Sequence, residues 1–175
     1  DGYNPASVAI PVARGGGVTA TVTVPRGGLV AGRSAWMSLG EGNVGRLALL
    51  DPAAMHVTLG ENAVEVGKGS RGTALEALRE VLDDAAQYAR RRADFEANRT
   101  RRFAASRLDL EALVPVVQGR LPLAVTVNRA ADIVALLRLA SDLRLRVIVI
   151  GGAEAWQVAP ELARARVPVV LNPTL

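Results

Sequence analysis

The residues of this sequence that could take part in binding fall at predicted strand ends. Two segments, PLAVTVNRA and VIVIGGAEAW, each run from an apolar stretch into small or polar residues. In parallel α/β proteins, ligands bind beyond the carboxyl ends of the strands. The residues that such ends would present are Arg26, Gly27, Gly28, Thr126, Asn128, Gly151, Glu154 and Asn172. They offer a guanidinium, a hydroxyl, two amides, a carboxylate and glycine backbone. That set can orient a small molecule by hydrogen bonding. It contains no nucleophile paired with a base, so no catalytic residue is assigned. Glu154 also opens a predicted helix, where a carboxylate is favoured by the helix dipole alone.

Other chemistries are limited by what the chain lacks. With no cysteine, thiolate metal sites, disulfides and cysteine nucleophiles are excluded. His56 is the only histidine, and one imidazole cannot build a histidine-rich zinc site. It lies in a predicted strand between Met55 and Val57, with no carboxylate fixed beside it by sequence, and reads as structural. The stretch GGLVAGRS, residues 27–34, has the spacing of a phosphate loop with Arg33 in place of the lysine. Such a loop must open a helix, and the residues that follow, AWMSLGEGNVG, are not helical in pattern. It reads as a loop where backbone can approach a ligand.

Arg90, Arg91, Arg92, Arg99, Arg101, Arg102 and Arg107 form a basic cluster that could meet phosphates. Glu76, Glu80, Asp83 and Asp84 precede it on the same predicted helix. Acid first and base last is the order the helix dipole favours. Tyr88, Phe95 and Phe103 recur at seven and eight residues, which suits a packed helix face better than a base-stacking platform. A solvated helix face is the expectation, and a nucleic-acid partner is not.

The elements that must position these residues follow from periodicity. Residues 17–24, GVTATVTV, read as a strand, and residues 34–39 and 54–59 as two short ones. A long helix begins near Thr73, with Thr73 and Glu76 at capping-box spacing, and could run to Arg102 across an open sheet. Ser106 is the expected cap of a helix over residues 108–117. Strand 122–127 then leads to a helix over 129–143 capped by Asn128. Strand 145–150, apolar except for Arg146, predicts burial on both faces. A helix over 154–164 and a strand over 167–171 complete a βαβαβ run. The expected fold class is α/β, with parallel strands alternating with helices. The whole chain, 1–175, reads as a single piece. Residues 1–70 are strand- and glycine-loop-rich, and 71–175 are helical and regular.

The length of 175 residues and 50% hydrophobic content suffice for a core. A complete (β/α)₈ barrel usually needs about 250 residues. The first residue is Asp1, so a cut from a longer protein is expected. No stretch approaches the roughly 20 apolar residues of a membrane span. A soluble protein is expected, with the periplasmic or secreted and the cytoplasmic compartments both open. The net charge is +4, and Lys68 is the only lysine, so the remaining basic residues are all arginine.

Two segments carry a family resemblance. NPASVAIPVARGGGVTATVTVPRGGLVAGRSA resembles the part of imidazolonepropionase-like amidohydrolases that follows their first metal-binding strand. PLAVTVNRAADIVALLRLASDLRLRVIVIGGAEAWQVAPELARARVPVVLNP resembles their later strands. The resemblance implies the central part of a TIM-type barrel whose complete form hydrolyses non-peptide C–N bonds. In that family one or two divalent metals, zinc-like, activate a water. The family's ligands are an H-x-H on the first strand, a His on each of the fifth and sixth strands, and an Asp on the eighth. Here Thr126 stands at the fifth-strand position and Gly151 at the sixth-strand position, so this chain brings no metal ligand and no cofactor of its own. A divalent metal would belong to the full-length parent. An incomplete barrel leaves two open sheet edges, so the expected partners are the rest of the parent barrel or a second copy, with a small-molecule ligand. The resemblance leaves two readings: a metal-dependent hydrolase, or a degenerate barrel that binds a ligand or partner.

Overall fold

The computed structural model describes residues 3–60 and 70–172. Six strands form one curled half-barrel sheet in the order in which they occur along the chain. They are β1 (Ala20–Thr23), β2 (Val30–Ser38), β3 (Ala48–Thr58), β4 (Leu123–Val127), β5 (Val147–Gly151) and β6 (Val169–Leu171). The helices are α1 (Ala9–Gly15), α2 (Val44–Leu47), α3 (Arg71–Arg90), α4 (Arg92–Glu96), α5 (Arg107–Val117), α6 (Ala130–Leu143) and α7 (Ala159–Ala165).

Strands β3 to β6 are parallel, as expected, but β1, β2 and β3 pair antiparallel. The cause is connection length. A parallel crossover needs a dozen or more residues, whereas β1 passes to β2 through residues 24–29 alone. The stretch expected to remain loop after Pro25 becomes β2 from Val30 onward. Gly32, at φ +124°, sits in that strand opposite His56. The loop spacing at residues 27–34 therefore opens a strand and not a helix, which removes the phosphate-loop geometry.

Sequence periodicity explains the core. Met55, Val57, Leu123, Val125, Val127, Val147 and Val149 alternate along their strands onto one sheet face. Leu78 and Leu82 of α3, Leu110 and Leu113 of α5, and Ile133, Leu136 and Leu139 of α6 bury against that face. The opposite, concave face carries His56, Thr58, Ala124, Thr126, Ile148 and Ile150. β5 is thus not buried on both faces: Val147 and Val149 are buried, while Ile148 and Ile150 stay half-buried. The described helices α3, α5 and α6 pack on the other face.

Three helix boundaries differ from expectation. Ser70, not Thr73, caps α3: its hydroxyl accepts from the Thr73 N–H at 3.1 Å. The helix stops at Arg90 rather than continuing to Arg102. The segment expected as one helix over 154–164 is a 3-10 turn, Ala155–Val158, followed by α7, with Pro160 in the first turn of the second piece. Ser106 caps α5 as its position suggested, accepting from the Asp109 N–H at 3.3 Å.

The arginine cluster is a surface network of ion pairs. Arg91 and Arg99 bracket Asp94 at 3.0 and 3.2 Å. Arg92 and Arg107 meet at Glu111, at 2.6 and 2.9 Å. Hydrogen bonds from Arg91 and Arg99 hold the Asp94 carboxyl below its usual range. The Tyr88 hydroxyl, followed by the arginines, does the same for Glu111. Tyr88 meets Phe95 edge-on at 5.0 Å, and Phe95 stacks on Phe103 at 5.5 Å. The three rings are packed together, but they lie on α3, α4 and the following loop, not on one helix. No described helix is long and apolar enough to cross a membrane.

Candidate functional site

The carboxyl ends of β3, β4, β5 and β6 make one rim of the sheet. Because β2 is antiparallel to β3, its first residue, Val30, lies opposite Val57 near the end of β3. The loop before it therefore reaches the same rim, and the Thr58 N–H donates to the Leu29 carbonyl at 3.0 Å. This places Arg26, Gly27 and Gly28, all exposed, at the β3 side of the rim. Asn128 and Asn172 follow β4 and β6 and line a cleft of about 690 Å³ with Gly151, Gly152, Trp156 and Leu171. The topology thus brings the sequence-predicted residues to one edge but not into one pocket. The arginine and its glycines stand beside β3, and the two amides stand beside β5 and β6.

Glu154 is engaged by its own backbone and by one carboxylate oxygen. Its Oε2 accepts from the Ala130 N–H at 2.9 Å, at the first turn of α6. Its own N–H donates to the Asn128 carbonyl at 2.9 Å. The carboxylate after β5 therefore caps the helix after β4, the role expected of Asn128. The α6 N-cap position itself belongs to Arg129, which makes no side-chain cap hydrogen bond there. Glu154→Ala removes this cap and is expected to cost about 1 kcal/mol, measured as a fall in thermal midpoint. An unchanged midpoint would show that water replaces the carboxylate at no cost.

One further side chain and the β5 turn are also engaged. Asp132 in the first turn of α6 pairs with Arg71 at 3.2 Å and joins α6 to α3. The Gly152 N–H donates to the Val127 carbonyl at 2.9 Å and ties the β5 turn to β4. Gly151 adopts φ +89°, and a Cβ built on it would lie 2.6 Å from Asn128 Oδ1. The positive φ favours glycine, and a side chain there would need Asn128 to move.

Thr126 lies on the concave face, half-buried, with Thr58 as its partner on β3 and Ile150 on β5. One pleat deeper is His56, 6% exposed, in register with Ala124. Its Nε2 is buried with no hydrogen-bond partner among the described residues. Such a group costs roughly 1–3 kcal/mol when left unsatisfied. Sequence reasoning set His56 aside because no carboxylate stood near it in the chain, and it did not single out Thr58. The alternation of AMHVTL was the available signal: it places His56 and Thr58 together on the face opposite Met55 and Val57.

Burial holds the His56 imidazole pKa below its usual 6.5. The sign of the consequence is fixed by linkage. The unfolded chain takes up a proton near pH 6.5, and the folded chain resists it. This contribution to stability is therefore complete above pH 6.5 and is lost as pH falls below it. Denaturant titrations between pH 7.5 and 5 should show a decline that is absent in His56→Phe. An equal decline in both proteins would trace it to other groups.

The donor set of the rim can be tested against a divalent metal. The positions matched to two family histidines hold the Thr126 hydroxyl and the Gly151 backbone. Among the described residues, no three of His, Cys, Asp and Glu lie together as a metal-ligand group. The nearest carboxylates, Glu154 and Asp132, are engaged with the Ala130 N–H and Arg71, and the other rim side chains are amides, hydroxyls and apolar groups. Zinc prefers imidazole, thiolate and carboxylate, so the Thr126 hydroxyl and the Gly151 backbone do not fit the ligand positions of such an ion.

No family model matches the sequence, and no curated protein does. Among solved structures, an amidohydrolase from Thermotoga maritima MSB8 matches with a TM-score of 0.85 and 26% sequence identity. The match covers 99% of this chain and 47% of that one. The chain thus spans about half the length of the amidohydrolase it resembles, and the similarity supports an amidohydrolase-like architecture for it.

Proposed function

We propose that this chain is the central part of an imidazolonepropionase-like amidohydrolase barrel of TIM type. The parent in this reading is a metal-dependent hydrolase of non-peptide C–N bonds, and the chain alone is inactive. The observation that carries the reading is the structural match, which extends over 99% of the chain. The family's metal would be held outside this chain's rim, whose residues contribute backbone, Thr126 and two amides. The exposed edges β1 and β6 are where the rest of the barrel, or a second copy, would pair. Val170 and Leu171 on β6 are 50% and 68% exposed, which suits continuation of the sheet.

A second reading is favoured by one feature. The position matched to the sixth-strand histidine is a glycine at positive φ, where a ligand side chain would be strained and would displace Asn128. A barrel built around that turn would bind a ligand or partner without hydrolysing it.

Elemental mass spectrometry on the longer protein separates the two. One or two equivalents of a divalent metal after dialysis, with hydrolysis of amide or ureide substrates, supports the hydrolase. No metal after reconstitution and no hydrolysis overturns it in favour of the degenerate barrel.

A further inference from the structure

We propose that the cleft formed by the loop between α4 and α5 binds a small phosphate-bearing ligand, with Arg102 as its principal charged contact. The cleft shares no residue with the strand-end rim. The inference is therefore independent of the hydrolase reading.

Three observations carry it. First, the loop shapes a cleft of about 580 Å³ whose lining includes Asn98, Thr100, Arg101, Arg102 and Arg107 and no carboxylate. Ligand pockets span roughly 300–1,000 Å³. Second, two of its cations are held in place. Arg101 donates to the buried Asp84 carboxylate and lies 5.3 Å from the Phe103 ring centroid. Arg107 donates to Glu111 at 2.9 Å. Both guanidiniums keep further N–H groups that these bonds do not use. Third, the other polar groups of the lining are unclaimed. Arg102 is exposed, and its side chain meets no carboxylate among the described residues. The side chains of Asn98 and Thr100 likewise have no hydrogen-bond partner among the described residues.

The chemistry of the ligand follows from these groups. A guanidinium fork matches the oxygens of a carboxylate or a phosphate. Three guanidiniums on one cleft suit phosphate better, because it carries up to about two negative charges and three acceptor oxygens. A long polyanion fits less well. Asp94, Glu96 and Glu111 lie among the same arginines and would repel an extended strand. Phe95 and Phe103 stack on one another, and Arg101 lies over Phe103, which leaves no open platform for successive bases.

Inorganic phosphate and phenyl phosphate are the probes, titrated into the chain at constant ionic strength and followed by phosphorus NMR. Both should bind saturably and compete with each other. Tighter binding of phenyl phosphate would support a phosphomonoester as the natural source, and tighter binding of inorganic phosphate a free ion. Arg102→Ala should weaken either probe about tenfold, the scale of one charge-assisted hydrogen bond. Arg99→Ala, which removes a guanidinium held on Asp94 outside the cleft, should change it by less than about twofold. No saturable binding to the unmodified chain would overturn the proposal, and that titration decides even if a variant does not fold. So would undiminished binding in Arg102→Ala, an equal loss in Arg99→Ala, or acetate binding as tightly as phosphate. A single-stranded oligonucleotide that binds more tightly than phenyl phosphate would overturn the small ligand in favour of nucleic acid.

Discussion

Arg101→Ala is expected to destabilise the chain by about 3 kcal/mol, more than loss of any other arginine in the basic cluster. The reason is the partner it leaves behind. Asp84 of α3 is fully buried, and its carboxylate accepts from the Arg101 guanidinium and from the Ala104 N–H at 2.7 Å. Removing one partner of a buried pair strands a charge away from water, which costs about 3–5 kcal/mol. Arg101 is itself half-exposed, so the lower end of that range applies. Arg99, on the exposed side of Asp94, should cost about 0.5 kcal/mol when truncated. Denaturant unfolding of the two variants measures the contrast. Asp84→Asn combined with Arg101→Ala should recover part of the loss, because the stranded charge is then gone. Equal midpoints for Arg99→Ala and Arg101→Ala would show that Asp84 is satisfied without its arginine.

Gly151→His is expected to cost about 3 kcal/mol and to create no metal site. Two terms add. The positive φ of +89° is a conformation that a side-chain residue holds only with strain of about 1–3 kcal/mol. The new Cβ also meets Asn128 Oδ1 at 2.6 Å, so Asn128 must swing away. Thr126→His should be tolerated better, since Thr126 is half-buried on the open concave face. Thermal unfolding of both variants tests the difference. Stoichiometric zinc binding by Gly151→His at undiminished stability would contradict it.

The sequence was most legible where local and global signals agreed. From Leu121 onward, strand and helix periods alternate cleanly, and the βαβαβ run folds close to its predicted boundaries. It was least legible in the first third. There β1 and β2 look like strands of a parallel barrel, but short connections force them antiparallel. Helix capping was misplaced for a related reason. Asn128 stands in the right chain position to cap α6, yet Glu154, 24 residues away, reaches the Ala130 N–H. Only the packing of β4 beside β5 brings that carboxylate close.

The candidate site divides the same way. The strand-end rule placed Arg26, Gly27, Gly28, Thr126, Asn128, Glu154 and Asn172 at one rim without any alignment. It could not show that Glu154 is engaged as a cap. Nor could it show that the loop of Arg26 and the cleft of Asn128 lie at opposite sides of that rim. The burial of His56 was legible in its strand, but its neighbours Gly32 and Ala124 are revealed only by strand register.

The account's central claim is that this amidohydrolase-like half-barrel sheet leaves any metal to residues outside its own rim. Calorimetric titration of the chain with zinc, with the single imidazole followed by NMR, tests it most directly. The account predicts no stoichiometric heat and no zinc-dependent shift of the His56 signals. One-to-one zinc binding in the micromolar range or tighter would contradict it, and would mean that the fold assembles ligands that the rim geometry does not show.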